Sequence, residues 1–247
     1  MILSAHYYPH KTGGIHLQLQ EVLEKYQGEK LDLQKLSQYE QWALPFFHQE
    51  NMVANPYLSI TLDVNLTTAR QVYEQDFQEV PGASFQAYIV WQLMKALHQE
   101  WTFSTRKIGN DWYVFKNLPV YFPIAIGGDA RFKDALIENV VQMEWPEFVM
   151  QYRKTITEPA DLTGTMDPLI WSISSFIGNL PDLDFSAFQI HRAKKLSGRP
   201  YFYFGKRKWV NEEYTAPLSV NMDHANADPF VLSELLQTFQ SYLNGKT

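Results

Sequence analysis

Near its C-terminus, the chain changes from an alternating to a helical pattern of apolar residues within a few positions. Between Leu218 and Met222, apolar residues occupy every second position, which is the pattern of a half-buried β-strand. From Leu232 to Leu243 they recur every three or four positions, the spacing that places them on one face of a helix. His224 lies between the two patterns. The sequence therefore predicts a histidine held at the end of a strand, beside the hydrophobic core.

Similar patterns elsewhere predict a mixture of short strands and amphipathic helices. Residues 57–66 alternate and predict a long strand. Ser84 is a typical N-cap for a helix over residues 85–100, whose apolar residues form one stripe. Residues 31–55 follow no regular period and are predicted to be irregular. The remaining predictions are helices over 15–26 and 132–155, the second interrupted by Pro146, and strands over 102–108, 112–115, 120–126, 171–177, 185–190, 201–205 and 216–222, with a hairpin turn at 109–111.

Length and composition are those of one ordinary folded domain. The chain has 247 residues, of which 45% are hydrophobic and 19% are charged. It contains no internal repeat and no low-complexity linker that would mark a domain boundary. We expect a single α+β domain over residues 1–247, in which helices pack on a mostly antiparallel sheet. Residues 1–30 are expected to form an N-terminal extension that carries a helix.

Charge and cysteine content exclude several classes of function. A net charge of −6 argues against a nucleic-acid-binding surface, which needs clustered lysine and arginine. The absence of cysteine excludes disulfides, cysteine nucleophiles and cysteine metal ligands. No segment reaches the roughly 20 apolar residues of a membrane span, and the N-terminus lacks the pattern of a secretion signal. We therefore expect a cytoplasmic protein that binds neither nucleic acid nor membrane.

Three N-terminal histidines are the main candidates for a metal site. His6, His10 and His16 lie close together, but Lys11 and two glycines stand between them and no cysteine can complete a site. The sequence therefore favours a protein without a bound metal. It also contains neither a Gly-x-x-x-x-Gly-Lys-Ser/Thr phosphate loop nor a Gly-x-Ser-x-Gly nucleophile turn.

The segment from Pro217 to Pro229 carries the most specific motif of the chain. Residues 223–229 read Asp-His-Ala-Asn-Ala-Asp-Pro. This resembles the His-His-x-x-x-Asp-Gly motif that ends a strand near the C-terminus in the chloramphenicol acetyltransferase family. Other segments are similar to that family in the same order along the chain. They are residues 55–61 at the first long strand, 106–108 and 111–115 in a central hairpin, 168–176, and 204–206, so the resemblance covers roughly residues 31–243.

This resemblance implies a fold, a reaction and an assembly. The fold would be a two-layer α+β sandwich with a mixed, mostly antiparallel sheet packed with helices. The reaction would transfer an acetyl group from acetyl-CoA, as co-substrate, to a hydroxyl group of a small molecule by direct attack in a ternary complex. The assembly would be a homotrimer with active sites between subunits. No metal is implied.

The same resemblance assigns catalytic roles to two residues. His224 would be the general base that takes the hydroxyl proton, a task that suits histidine because its unperturbed pKa is about 6.5. Thr165, three residues before Pro168, would donate its hydroxyl to the developing oxyanion. Each residue also has a structural interpretation: His224 as a histidine that ends a strand, and residues 163–165 as a turn.

Asp228 immediately precedes Pro229 at the predicted start of the last helix. An aspartate N-cap followed by a proline in the first helical position is a common way for a helix to begin. Proline also favours, in the residue before it, the extended backbone that an N-cap needs. We interpret Asp228 as structural support that sets the turn carrying His224, and not as a proton carrier.

The binding residues come from the resemblance alone. It places coenzyme A near Tyr203 and Lys206, on and after the hairpin strand that precedes the motif. It places the hydroxyl acceptor near Phe46 and Phe47, in the segment before the first long strand. Taken singly, a packed tyrosine, a solvated lysine and two core phenylalanines explain these residues equally well.

The chain departs from the family pattern at four points. Asp223 replaces the first motif histidine, as in the related catalytic domains of dihydrolipoyl acyltransferases, Pro229 replaces the glycine, and Leu169 stands in place of a tryptophan. Residues 40–43, where the family has an arginine that pairs with the motif aspartate, contain none. These differences leave a second hypothesis open, a catalytically inactive trimeric binding or scaffold protein with the same fold.

Overall fold

The computed structural model describes residues 17–49, 51–159, 166–190 and 198–246. The α-helices in these ranges are α1 (Leu19–Lys25), α2 (Gln38–Phe46), α3 (Thr67–Val72), α4 (Phe85–Gln99), α5 (Trp145–Thr157), α6 (Pro168–Ile173) and α7 (Pro229–Leu243). The strands are β1 (Gly28–Lys30), β2 (Tyr57–Asn65), β3 (Thr105–Ile108), β4 (Asp111–Phe115), β5 (Val120–Gly127), β6 (Arg131–Ile137), β7 (Ser175–Asn179), β8 (Tyr201–Phe204), β9 (Lys208–Val210) and β10 (Glu213–Asp223).

These strands form two sheets. The larger sheet has the order β2-β10-β8-β7-β5-β6, with β9 paired to the start of β10, and the smaller has the order β1-β4-β3. The pairs β5–β7 and β7–β8 are parallel, and the other described pairs are antiparallel. The sheet is therefore mixed and mostly antiparallel, and the expected α+β class is confirmed. Strand β10 lies between β2 and β8, with Val220 opposite both Ile60 and Phe202.

The main core lies between one face of β10 and the helices α4 and α7. Leu218, Val220 and Met222 of β10 are at most 1% exposed, and they share one buried cluster with Leu93 of α4 and Phe239 of α7. Burying one apolar side chain of this size contributes about 1.5–3 kcal/mol. The alternation in the strand and the stripe in the helix therefore face a single core. Packing on both sides of the strand–helix junction fixes the place where β10 ends.

Several local predictions are confirmed. The side chain of Ser84 accepts a backbone N–H of the first turn of α4. The side chain of Asp228 accepts two backbone N–H groups of the first turn of α7, and Pro229 is the first helical residue. The two-residue turn at 109–110 joins β3 to β4 as an antiparallel hairpin. Each of these features depends on residues that are neighbours in sequence, and the sequence therefore predicts them well.

The helix predicted over residues 132–155 is wrong in its first half. That half contains β6, which pairs antiparallel with β5 and buries every second residue from Lys133 onward. The buried lysine concealed the alternation, because lysine is almost never fully buried unless it has partners. Its ammonium group donates to backbone carbonyls at the C-terminal end of α5. Pro146 lies in the first turn of α5 and begins that helix rather than interrupting it.

Three further predictions need correction. Residues 31–55 contain helix α2, which begins at Ser37 with a capping box to Glu40. The strand predicted over 171–177 combines the end of α6 with most of β7, and residues 185–190 form no strand. A short apolar run cannot by its period distinguish a buried strand from a buried helical turn, and this ambiguity explains the second error.

The N-terminal helix is present over a shorter range than residues 15–26. Helix α1 begins at Leu19, and residues 15 and 16 lie outside the described residues. Val22 of α1 and Tyr26, which directly follows α1, pack with Phe115 of β4 and Ile173 of α6 in a second buried cluster. Strand β1 pairs with β4. The described part of this N-terminal segment therefore packs against the smaller sheet and α6.

Candidate active site

His224 lies in a turn that is held by hydrogen bonds on several sides. Its backbone N–H donates to the carbonyl of Pro56 at 2.8 Å, just before β2. The N–H of Ala225 donates to Oδ1 of Asp223 at 3.0 Å. The side-chain amide of Asn226 donates at 2.7 Å to a carbonyl of the 3₁₀ turn before β3. The turn is thus tied to β2, to β10 and to the β3 region at once, and it presents His224 from a rigid support.

The imidazole ring of His224 lies partly exposed beneath an aromatic ring. It stacks on Phe47, with ring centroids 4.2 Å apart and an angle of 27° between the planes. Its Nδ1 atom is buried and has no hydrogen-bond partner among the described residues. A buried polar atom without a partner costs about 1–3 kcal/mol. The arrangement is therefore unfavourable for stability, which is typical of a group that is retained for chemistry or binding.

An aromatic patch lies beside this ring and consists of Tyr39, Trp42, Phe46 and Phe47. The ring centroids of Trp42 and Phe46 are 4.6 Å apart, and those of Phe46 and Phe47 are 5.2 Å apart. Trp42 is 49% exposed and Tyr39 is 46% exposed. Partial burial, with a smaller effect of the Asp228 charge, raises the pKa of Tyr39. Helix α2 therefore presents a partly exposed aromatic surface from the His224 ring toward the start of α7.

Asp223, the residue before His224, is the centre of a buried polar cluster. Its side chain is fully buried, and its Oδ2 atom accepts hydrogen bonds from Nε2 of His48 and from the N–H of Gly198, both at 3.0 Å. Its Oδ1 accepts the bond from Ala225 described above. The ammonium group of Lys107 lies 3.1 Å from Nδ1 of His48. The carboxylate thus has three partners, the compensation that a buried charge requires.

Sequence reasoning missed His48 and Lys107. His48 follows α2, and 175 positions separate it from Asp223. Lys107 lies in β3, 59 positions from His48. A single histidine in a segment without a regular period gives no signal of its own. The one available hint was that Asp223, an acidic residue at the end of a predicted buried strand, would need a partner from elsewhere in the chain.

The buried side chain of Arg106 supports a peptide segment that contacts Asp223. The guanidinium of Arg106 donates to the carbonyls of Ile173, Phe103 and Gly198 at 2.8, 2.8 and 3.1 Å. Burial, followed by the charge of Arg199, lowers the pKa of Arg106 to about 9, so the group stays protonated at neutral pH. Because Gly198 also donates to the carboxylate of Asp223, Arg106 fixes the other side of the same peptide segment.

Asp228 has the structural role that its sequence context predicts. Its Oδ1 accepts the N–H groups of Phe230 at 2.7 Å and Val231 at 3.0 Å. Within the described part of the chain, no basic side chain forms an ion pair with it. The carboxylate of Asp228 is therefore stabilised by the backbone N–H groups and the helix dipole at the start of α7.

The residues expected to contact coenzyme A lie on a different part of the sheet. Tyr203 of β8 is opposite Ser219, four positions along β10 from Asp223, a distance of roughly 13 Å at the usual rise per residue. Its ring packs on Phe188 and Phe176, with centroids 4.6 and 5.1 Å away. Lys206 is exposed. The structure thus places Tyr203 in an aromatic cluster beneath the loop that follows β7.

Other expected site residues fall outside the described ranges. Thr165 lies in the segment 160–165, and His6, His10 and His16 precede residue 17. In the described ranges, no group of three or more histidine, aspartate or glutamate side chains could hold a metal ion. No helix of the described chain is both long and apolar enough to cross a membrane.

Comparison with known proteins identifies the fold. No protein-family model and no curated protein sequence matches the chain. Among solved structures, it is similar to a chloramphenicol acetyltransferase, with a TM-score of 0.72, 19% identity, and coverage of 87% of this chain and 99% of the other. The chain therefore has the chloramphenicol acetyltransferase fold, which confirms the two-layer α+β architecture and the resemblance seen in the sequence.

Two further solved structures have a similar fold. One is the truncated catalytic core of a 2-oxoacid dehydrogenase complex from Thermoplasma acidophilum, with a TM-score of 0.62, 10% identity, and coverage of 89% of this chain and 99% of the other. The other is a dihydrolipoamide acetyltransferase from Azotobacter vinelandii, with a TM-score of 0.55, 13% identity, and coverage of 87% and 91%. The fold extends over almost the full length of each.

Proposed function

We propose that this protein is an acyltransferase that moves an acetyl group from acetyl-CoA to a hydroxyl group of a small molecule. Two of the structures with this fold are named acetyltransferases. A fold alone does not determine an activity, so the residues of the site must carry the proposal. The observation that carries it is His224, which lies partly exposed at a strand end and whose buried Nδ1 has no hydrogen-bond partner among the described residues.

The spacing of the motif gives further support. A study of the Azotobacter vinelandii enzyme names a serine, a histidine and an asparagine in its catalytic mechanism, the last two being four residues apart. His224 and Asp228 have the same spacing here. In this chain Asp228 caps α7, and in this proposal the cap supports the turn that carries His224.

The proposed reaction uses His224 twice. As a general base it takes the proton of the acceptor hydroxyl while the oxygen attacks the thioester carbonyl. A C–O bond forms, the carbonyl becomes a tetrahedral oxyanion, and the hydroxyl of Thr165 is the proposed donor to that oxyanion. The C–S bond then breaks, and the proton passes from His224 to the sulfur of coenzyme A. No acyl-enzyme is formed, and no metal takes part.

The substrates are assigned to two surfaces. The hydroxyl acceptor is proposed to bind against the aromatic patch, through Phe46 and Phe47, because these rings adjoin His224. Coenzyme A is proposed to lie near Tyr203 and Lys206, so that its thioester approaches His224 along β10. We also propose a homotrimer, as the resemblance implies, with each site between two subunits, and a cytoplasmic location. The exposed rings of the aromatic patch are compatible with a site that a neighbouring subunit completes.

A second candidate is an inactive trimeric binding or scaffold protein. The observation that favours it is that Asp228 has no arginine partner among the described residues. In addition, Leu169 and Pro229 stand where the chloramphenicol acetyltransferase family has a tryptophan and a glycine. Pro229 by itself is no obstacle, because it occupies the first helical position, where proline is favoured.

Binding of acetyl-CoA separates the two candidates. A ligand that binds only the native state at one hundred times its Kd raises the free energy of unfolding by about 2.7 kcal/mol. We expect acetyl-CoA to raise the melting temperature, and release of free thiol to follow when hydroxylated acceptors are added. A lack of both thermal shift and thiol release would favour the scaffold. Sedimentation should give three times the 28.8 kDa of one chain.

A further inference from the structure

The contacts of His48 determine which of its nitrogens carries a proton. Nδ1 faces the ammonium group of Lys107 at 3.1 Å, and Nε2 faces Oδ2 of Asp223 at 3.0 Å. A lysine ammonium has three donors and no acceptor, and an ionised carboxylate only accepts. Nδ1 must therefore accept from Lys107 while Nε2–H donates to Asp223. These contacts fit the tautomer that carries its proton on Nε2.

The other protonation states conflict with the same contacts. A doubly protonated His48 would place Nδ1–H and a positive charge against the ammonium group of Lys107. The opposite neutral tautomer would place Nδ1–H against that ammonium group and a lone pair against the carboxylate of Asp223. The side chain of His48 is only 10% exposed, and that of Asp223 is fully buried, so water cannot easily replace either bond.

His48 links the two elements that surround the His224 ring. On one side, Asp223 accepts from His48 and from the N–H of Ala225, the residue after His224. On the other side, His48 directly follows Phe47, whose ring stacks on His224. The hydrogen bond between His48 and Asp223 therefore joins the segment that follows α2 to the turn after β10.

We propose that Lys107, His48 and Asp223 form a positioning relay that holds the His224 ring and Phe47 in contact. The inference rests on the proposed function of His224, because none of the three relay residues is proposed to touch a substrate. The family resemblance would instead assign the orienting role to an arginine. The arginine would act through Asp228 after the histidine, whereas the relay acts through Asp223 before it.

A matched pair of variants tests the relay. In His48→Gln the amide can still donate to Asp223 and accept from Lys107, whereas in His48→Leu neither bond is possible. Because a displacement of about 1 Å can cost 10²-fold in rate, we expect His48→Leu to lower kcat by roughly 10- to 100-fold with little change in the KM for acetyl-CoA. His48→Gln should recover most of that loss. His98→Leu, at an exposed position of α4, is the control for removing a histidine.

Two measurements are independent of activity. We expect amide hydrogen exchange of the peptide 219–228 to accelerate in His48→Leu and to return toward the parental rate in His48→Gln. Nitrogen-15 spectra of the parent should show His48 protonated at Nε2 and unprotonated at Nδ1, and Lys107→Met should weaken that preference. Unchanged exchange in His48→Leu, or a doubly protonated His48 at neutral pH, would overturn the relay. If the parent transfers no acetyl group, the proposed function fails, while exchange and spectra still decide the relay.

Discussion

From Leu218 to Asp223 the two faces of β10 are equally buried, but they are held by different interactions. On one face Leu218, Val220 and Met222 pack against α4 and α7 in the main core. On the other face Ser219, Asn221 and Asp223 are also at most 1% exposed. These three side chains are polar, and each forms hydrogen bonds. Residues alternate between the two faces of a strand, so the same backbone supports both environments.

The polar face forms a chain of hydrogen bonds that leads toward the turn. Ser219 donates to the carbonyl of Phe188 at 2.7 Å, and Asn221 donates to Ser219 at 3.3 Å. Ser59 of β2 donates to Asn221 at 2.6 Å. Apolar contacts are non-directional and tolerate small shifts, whereas hydrogen bonds weaken steeply with distance and angle. From this comparison we infer that the apolar face mainly stabilises the fold, whereas the polar face mainly determines where His224 is held.

The largest effect is expected at the end of the polar face. In His224→Ala we expect transfer of acetyl groups to fall by about 10²- to 10⁴-fold, the usual contribution of a general base. The free energy of unfolding should change little, because Nδ1 has no hydrogen bond to lose within the part of the chain that the structure describes. Acetyl transfer at saturating acetyl-CoA and urea unfolding measure the two effects. Parental turnover in this variant would contradict the assignment of the base.

The apolar face should show the opposite behaviour. We expect Leu218→Ala to lower the free energy of unfolding by about 2–5 kcal/mol, because it opens a cavity in the core. Transfer by the remaining folded protein should stay near the parental rate. Ser219→Ala is the matched variant on the other face, expected to cost about 1–3 kcal/mol by leaving the Phe188 carbonyl unpaired. A larger cost for Ser219→Ala than for Leu218→Ala in urea unfolding would reverse the comparison.

The free energy of unfolding at alkaline pH gives a further test of burial in the main apolar core. Burial raises the pKa of Tyr152 to about 12. The unfolded tyrosine ionises near 10, so its contribution to stability is complete below about pH 10 and is lost as the pH rises toward 12. At about 1.4 kcal/mol for each pKa unit, the full loss is of the order of 3 kcal/mol. Arg106, with its lowered pKa, acts in the opposite direction over this range.

The Tyr152 effect is therefore measured as a difference between two proteins. The free energy of unfolding of the parent and of Tyr152→Phe is determined by urea titration from pH 9 to pH 12 (roughly the range between these pKa values). The variant should lose less stability across this range, since it has no phenol to ionise. Parallel curves for the two proteins would show that Tyr152 titrates normally in the folded state.

The smallest effect is expected at the helix cap. Asp228→Ala should lower the free energy of unfolding by about 1 kcal/mol, because two N–H groups of α7 lose their acceptor. Asp228→Asn keeps an acceptor and should cost only a few tenths of a kcal/mol. Thermal unfolding compares the two variants. Equal losses in both would mean that the charge of Asp228 matters beyond the cap.

Much of the fold could be predicted from the sequence. The end of β10, the cap formed by Asp228 and Pro229, the N-cap of α4 and the β3–β4 hairpin each depend on neighbouring residues, and all are confirmed. The order of the motif segments was sufficient to indicate the acetyltransferase fold. Prediction failed at β6, where the alternation begins with Lys133, because the partners that permit burial of this lysine lie at the end of a distant helix.

The sequence by itself determined where His224 lies in the chain: after an alternating strand and before a capped helix. The tertiary structure decided what surrounds it. Phe47 over the ring, His48 on Asp223 and Arg106 beneath Gly198 come from segments that are 92 to 177 positions distant from their partners. Local patterns record periodicity and capping, which act over a few residues. Contacts between distant segments depend on how the sheet and helices pack, and no local pattern records them.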